Sequence, residues 1–117
     1  MKYFVLLAGY GEMPDWEKLT PEEQEAGMAK HVAFDEACVA RSGVEILSGE
    51  ALGDGSMATT LRTRGDELTI TDGPFAEAAE HIGGYYLLDA PDLDTVIDLC
   101  WILPAYDIEI RPALDAP

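Results

Sequence analysis

Two helical segments, each with its own start and stop chemistry, separate short strand-like runs in the order strand, helix, strands, helix, strand. That order restricts the fold more than any other feature of the chain. Lys2 to Ala8 is an apolar run ending at Gly9-Tyr10-Gly11, the pattern of a central strand buried on both faces. After a polar connection holding Pro14 and Trp16, Thr20-Pro21-Glu22-Glu23 opens a helix. Thr20 caps it, Pro21 suits its first turn, and Glu23 completes a capping box. The helix runs to about Arg41 and stops at Ser42-Gly43.

Val44 to Ala51 alternates as a strand does, with Val44 and Ile46 on one side and Leu47 on the other. Met57 to Thr63 and Glu67 to Thr71 are β-rich and are joined by Gly65-Asp66, a two-residue hairpin signal. Ala76 to His81 reads as a helical turn or a loop, and Gly83-Gly84 leads into a strand from Tyr85 to Asp89. Asp92 caps a second helix whose Leu93, Val96, Ile97, Cys100 and Leu103 recur at the spacing of a one-sided helix. Pro104 ends it, and Ile108 and Ile110 alternate with charged residues in a last strand closed by Pro112.

Such an order predicts an α+β domain over residues 1–117, a ferredoxin-like βαββαβ sheet with two helices on one face. The other face is left bare. A second copy stacked on it would form a dimeric α+β barrel, so a homodimer is expected.

The formal charge of −16, from 23 acidic and 7 basic residues, argues against nucleic acid and against an anionic membrane surface as partners. Its plain reading is solubility. No apolar run approaches the roughly 20 residues that cross a bilayer, and Tyr3 to Ala8 is too short for a secretory signal. Cys38 and Cys100 lie outside any CxxC spacing, and asparagine is absent, so no glycosylation site suggests secretion. A cytoplasmic protein with free thiols is expected.

Two places carry residues suited to proton chemistry. His31 lies mid-helix with Asp35 one turn on, about 5–6 Å away at Cβ. An imidazole titrates near pH 6.5 (roughly), and a carboxylate beside it orients the ring and raises its pKa. The plainer reading is an exposed helix ion pair. Asp72 ends a strand in which Leu68 and Ile70 share its face, so its carboxylate points to an apolar interior or bonds its own turn. Gly73 and Pro74 stop the strand and leave backbone N–H groups open to an anion, while Tyr10, Trp16, Phe75, Tyr85 and Tyr86 supply aromatic pocket lining or, more plainly, core.

Other patterns fall short. Gly9-Tyr10-Gly11 lacks the rest of a dinucleotide fingerprint, and no serine sits in a nucleophile elbow. His31 and His81 are the only histidines, without metal-ligand spacing, so neither a metal nor a cofactor is expected.

The stretch Thr71-Asp72-Gly73-Pro74-Phe75-Ala76-Glu77, followed by Gly83-Gly84-Tyr85-Tyr86, resembles the signature of the YCII-related family in its DGPF-domain branch. The opening Met1-Lys2-Tyr3, Met28 to Phe34, Gly49-Glu50-Ala51-Leu52, Ala58 to Arg62 and Ile108 to Pro112 are similar to further family segments in the same order. The resemblance implies a ferredoxin-like subunit in a dimeric barrel, in small cytoplasmic bacterial proteins. Some relatives act on small organic ring compounds, and others carry a transcription-related label. The histidine–aspartate pair proposed as the family's active site would fall on His31 and Asp72. Two departures stand out. Ala78 and Ala79 replace the usual Thr-Lys, and the connection from Pro104 to Ile108 is shorter than usual.

These features together lead to a metal-free, lyase- or isomerase-like proton transfer on a small organic substrate, with His31 as acid or base and Asp72 as its partner. The rivals are a binding or regulatory module whose acidic surface engages a basic protein, and a remnant whose pocket closed when the lysine was lost.

Overall fold

Thr20 Oγ1 accepts a hydrogen bond from the Glu23 backbone N–H at 3.1 Å, and the Glu23 carboxylate accepts one from the Thr20 N–H at 3.0 Å. Both donors are otherwise orphaned at the start of the first helix, α1 (Pro21–Ala40), so the predicted capping box forms. This computed structural model describes residues 1–9, 16–74 and 81–115. At the other end of α1, the Arg41 N–H donates back to Ala37, and Gly43 takes a φ of 81° that favours glycine. Along α1 the residues turned inward are Gln24, Gly27, His31, Phe34, Ala37 and Cys38, close to a repeating step of three and four. Phe34 and Cys38 are fully buried.

Among the described residues six strands accompany the helices: β1 (Lys2–Gly9), β2 (Glu45–Ala51), β3 (Thr59–Arg64), β4 (Glu67–Asp72), β5 (His81–Asp89) and β6 (Asp107–Pro112). Four form an antiparallel sheet in the order β2-β5-β1-β6, the ferredoxin-like arrangement. The remaining two, β3 and β4, pair only with each other through the Gly65-Asp66 turn and make a separate two-stranded arm between β2 and β5. β5 begins at His81, four residues before the expected Tyr85, because His81 and Ile82 already pair with Gly9 and Ala8, and Gly84 with Leu7 and Ala51.

The second helix, α2 (Leu93–Cys100), is capped by Asp92, whose Oδ1 accepts from the Thr95 N–H at 2.8 Å. Its buried face is rotated from the expected one. Thr95, Val96 and Leu99 point inward, whereas Leu93 and Ile97 are exposed. The helix stops at Cys100 because the next turn tightens, with Leu103 donating to Cys100 and its side chain still reaching the core.

Alternation along the strands sets the layers. Tyr3, Val5 and Leu7 of β1 join Leu88, Phe34, Cys38, Val96 and Leu99 in one core beneath the helices. Phe4, Leu6, Tyr85 and Leu87 are half-buried. They lie on the opposite face, where Phe4 and Tyr85 stack with ring centroids 5.3 Å apart. β1 is therefore central but closed over on one face only, a correction to the expectation of burial on both. Cys38 and Cys100 are free thiols, pushed up to about 11 mainly by burial.

Candidate functional site

His31 is the polar member of the inward stripe of α1, and its ring is held from both sides. Nδ1 lies 2.8 Å from the Tyr86 hydroxyl, and Nε2 lies 2.9 Å from the Tyr106 hydroxyl. The ring is half-buried between α1 and the sheet, which corrects the reading of His31 as an exposed ion-pairing residue. Asp35 remains exposed one turn along.

Each tyrosine arrives for a local reason. Tyr86 sits in mid-β5 opposite Gly49 of β2, and its ring packs 4.7 Å from that of Phe34. A Cβ at Gly49 would lie 2.8 Å from Tyr86 Cδ1, so the ring lies where only a glycine leaves room. Tyr106 follows a three-residue turn in which its N–H donates to the Pro104 carbonyl at 2.7 Å. The short connection between Pro104 and Ile108 thus carries a phenol onto His31.

Electrostatics keep all three groups in their neutral forms. Burial holds the His31 imidazole below its ordinary value, with the Asp35 charge partly opposing. Tyr86 is pushed up to about 12 by burial first and then by Asp35 and its neighbours, and burial also raises Tyr106. A neutral imidazole has one N–H and one bare nitrogen. One tyrosine therefore donates its O–H to the ring, and the other accepts from it and keeps its own O–H for a third group.

Among the described residues, Asp72, Gly73, Pro74 and Tyr85 make no hydrogen bond or ring contact with His31. Tyr85 precedes Tyr86 in β5 and so points to the open sheet face, where its hydroxyl meets Ser48 Oγ at 2.9 Å. Asp72 ends β4 opposite Thr59 and is exposed. It shares one face of the arm with Leu61, Leu68 and Ile70, each more than half exposed, so a single chain supplies no apolar interior there. Gly73 takes a φ of 100°, its N–H donates to the Ala58 carbonyl at 2.8 Å, and its carbonyl accepts from Thr60 Oγ1. That N–H is spent within the arm. Pro74 is exposed, and Tyr10 and Phe75 lie outside the described residues. Sequence reasoning missed Gly49 and Tyr106 altogether and placed Tyr86 only among general aromatic lining. The signals were the glycine inside a strand and the position of His31 on the Phe34–Cys38 stripe.

A hollow of about 360 Å³ opens beside the N-terminus, lined by Met1, Lys2, Asp89, Ala113, Leu114 and Asp115. Its one close ion pair, the terminal ammonium with Asp89 at 2.9 Å, ties the chain end down and offers no acid–base couple. Among the described residues, no three His, Cys, Asp or Glu side chains cluster for a metal ion, and no helix is long and apolar enough to cross a membrane.

A family model described as the YCII-related domain matches residues 1–112. The chain is also similar to an uncharacterised protein of Rhizobium meliloti (strain 1021), 46% identical over 41 residues, which make up 35% of this chain and 33% of that protein. The similar stretch is thus about a third of either one.

Proposed function

The chain belongs to the YCII-related domain family, and from that premise we propose that it is a metal-free proton-transfer enzyme acting on a small organic substrate. One observation carries this reading: a neutral, half-buried imidazole with a short hydrogen bond to a phenol at each ring nitrogen. A proton carrier must be neutral at working pH and fixed in orientation, and this arrangement supplies both. The tyrosines, in this reading, orient the ring as the family resemblance would have Asp72 do. Lyase- or isomerase-like chemistry suits a site built to move a proton. The protein acts in the cytoplasm as a homodimer, the second copy covering the half-buried Phe4, Leu6, Tyr85 and Leu87 on the open sheet face.

The test is deuterium incorporation from D2O into a panel of cyclic ketones, lactones and hydroxylated aromatic compounds, followed by NMR. His31→Gln is expected to slow exchange at least about 100-fold, the usual worth of a positioned acid–base group. Equal rates in variant and wild type would overturn the proposal.

A second reading, a protein-binding module, is favoured by the outer side of α2. Trp101 is 83% exposed there, with Leu93 and Ile97 on earlier turns of the same side. Trp101→Ala would weaken such an interaction and leave deuterium exchange intact.

A further inference from the structure

Both nitrogens of His31 are occupied by phenols, so the imidazole has no free lone pair or N–H for a substrate. Whatever meets the substrate is a tyrosine hydroxyl. We propose that this group is Tyr106, with His31 behind it as proton carrier and Tyr86 as the rear entrance, and that it donates to the oxygen of a neutral carbonyl compound. The inference rests on the proton-transfer reading in giving the site a substrate.

Three observations separate the two tyrosines. Tyr86 is rooted in a central strand, its ring close to Phe34 on one side and to the Gly49 backbone on the other. Tyr106 instead stands on the turn that enters the edge strand β6, beyond which no strand among the described residues pairs. The Asp35 charge also acts on Tyr86, whereas Tyr106 is shifted by burial alone. An oxygen in which negative charge develops is therefore better placed at Tyr106. The chain's net charge of −16 disfavours a substrate that arrives as an anion, and a neutral carbonyl avoids that repulsion.

The proton count closes without a co-reactant. At the start Tyr86 donates to Nδ1, Nε2–H donates to Tyr106, and the Tyr106 O–H points to the substrate oxygen. As a solvent water takes the substrate's Cα proton and enolate character grows, the Tyr106 proton passes to that oxygen and the Nε2 proton to Tyr106. Nδ1 takes the Tyr86 proton, and water reprotonates Tyr86. One proton has left Cα for solvent and one has come from solvent to the oxygen, so the ketone has become its enol. The ring has changed from the Nε2–H to the Nδ1–H tautomer. The reverse relay resets it: Tyr106 gives its proton to Nε2 and takes one from water, while Nδ1 returns its proton to Tyr86, which releases one to water.

Tautomers are read from the His31 ring nitrogens by ¹⁵N NMR on the full chain, with His31→Gln identifying the signals. The probes are cyclohexanone, a neutral carbonyl, and benzoate, an anion. Cyclohexanone is expected to raise the ratio of Nε2–H to Nδ1–H about fivefold at saturation, the worth of one net hydrogen bond. Tyr106→Phe abolishes that response, Tyr86→Phe keeps it, and benzoate gives a smaller one. A move toward Nδ1–H, no response, an equal response to benzoate, or a response that survives Tyr106→Phe would each overturn the proposal. The direction seen in the wild type decides the matter even where Tyr106→Phe fails to fold. Such a failure would leave His31-dependent deuterium exchange standing. Loss of exchange with the tautomer response intact would remove the reaction and keep the ligand end.

Discussion

Gly49→Ala should disturb the site from the far side of Tyr86 without touching any group that carries a proton. The added Cβ would lie 2.8 Å from Tyr86 Cδ1, 3.2 Å from Cε1 and 3.3 Å from the Tyr85 carbonyl oxygen. Carbon atoms rest comfortably at about 3.5–4.0 Å, so the ring must retreat by about 1 Å. Its hydroxyl sits 2.8 Å from His31 Nδ1, and the same displacement carries that contact out of hydrogen-bonding range. Forcing a methyl into a packed site costs about 1–3 kcal/mol. For a domain of this size that lowers Tm by about 4–12 °C. The assays are thermal unfolding and the His31 ring signals in ¹⁵N NMR. Gly83→Ala is the control, since a Cβ there meets nothing within 4 Å, and it should not lower Tm. In a Tyr86→Phe background the Tm loss should recur, because the ring still clashes, but the His31 signals should no longer respond. A Gly49→Ala protein that melts with the wild type and shows unchanged His31 signals would refute the reasoning.

The pH dependence of stability has a definite sign. Burial sets the His31 pKa below the ordinary 6.5 in the fold, so below that pH the unfolded chain binds a proton that the native ring resists. Stability from this source is complete above 6.5 and falls as pH drops toward the folded value, and His31→Gln should flatten that segment of the curve. Asp35→Asn should move the His31 titration lower still, because the Asp35 charge is what holds it up. Denaturation midpoints between pH 5 and 7 (roughly) and an NMR titration check both. At the start of α1, Thr20→Ala removes the acceptor for the Glu23 N–H and should cost about 1 kcal/mol, seen as faster amide exchange in the first turn. Thr20→Ser should restore it.

Local chemistry made most of the architecture readable. Capping groups at Thr20 and Asp92, the turn at Gly65-Asp66 and the stop at Gly43 act over three or four residues, so the chain states them directly. By contrast, α2 ends at Cys100, before the expected Pro104. Rotation of the α2 face was harder. Leu93 and Ile97 are as apolar as Val96 and Leu99, and only contact with β1 and α1 selects which pair is buried. The arm was legible as a hairpin but not as a separate sheet, because nothing in β3 or β4 says which neighbour it will decline to pair with.

At the site the division is sharper. His31 shares the spacing of Gly27, Phe34 and Cys38, a signal of its inward face that the exposed ion-pair reading passed over. Its partners are not, since Tyr86 and Tyr106 lie 55 and 75 residues away. Whether Tyr85 or Tyr86 points to the helices depends on strand parity across all of β5, and bulges after Leu7 and Ile46 reset the neighbouring registers. The amino-acid order by itself thus determined the elements, their sequence and the presence of an inward imidazole. Tertiary structure alone decided that two phenols take both its nitrogens and that Asp72 stands on an exposed arm, because pairing register and turn length settle distant contacts that local propensity does not encode.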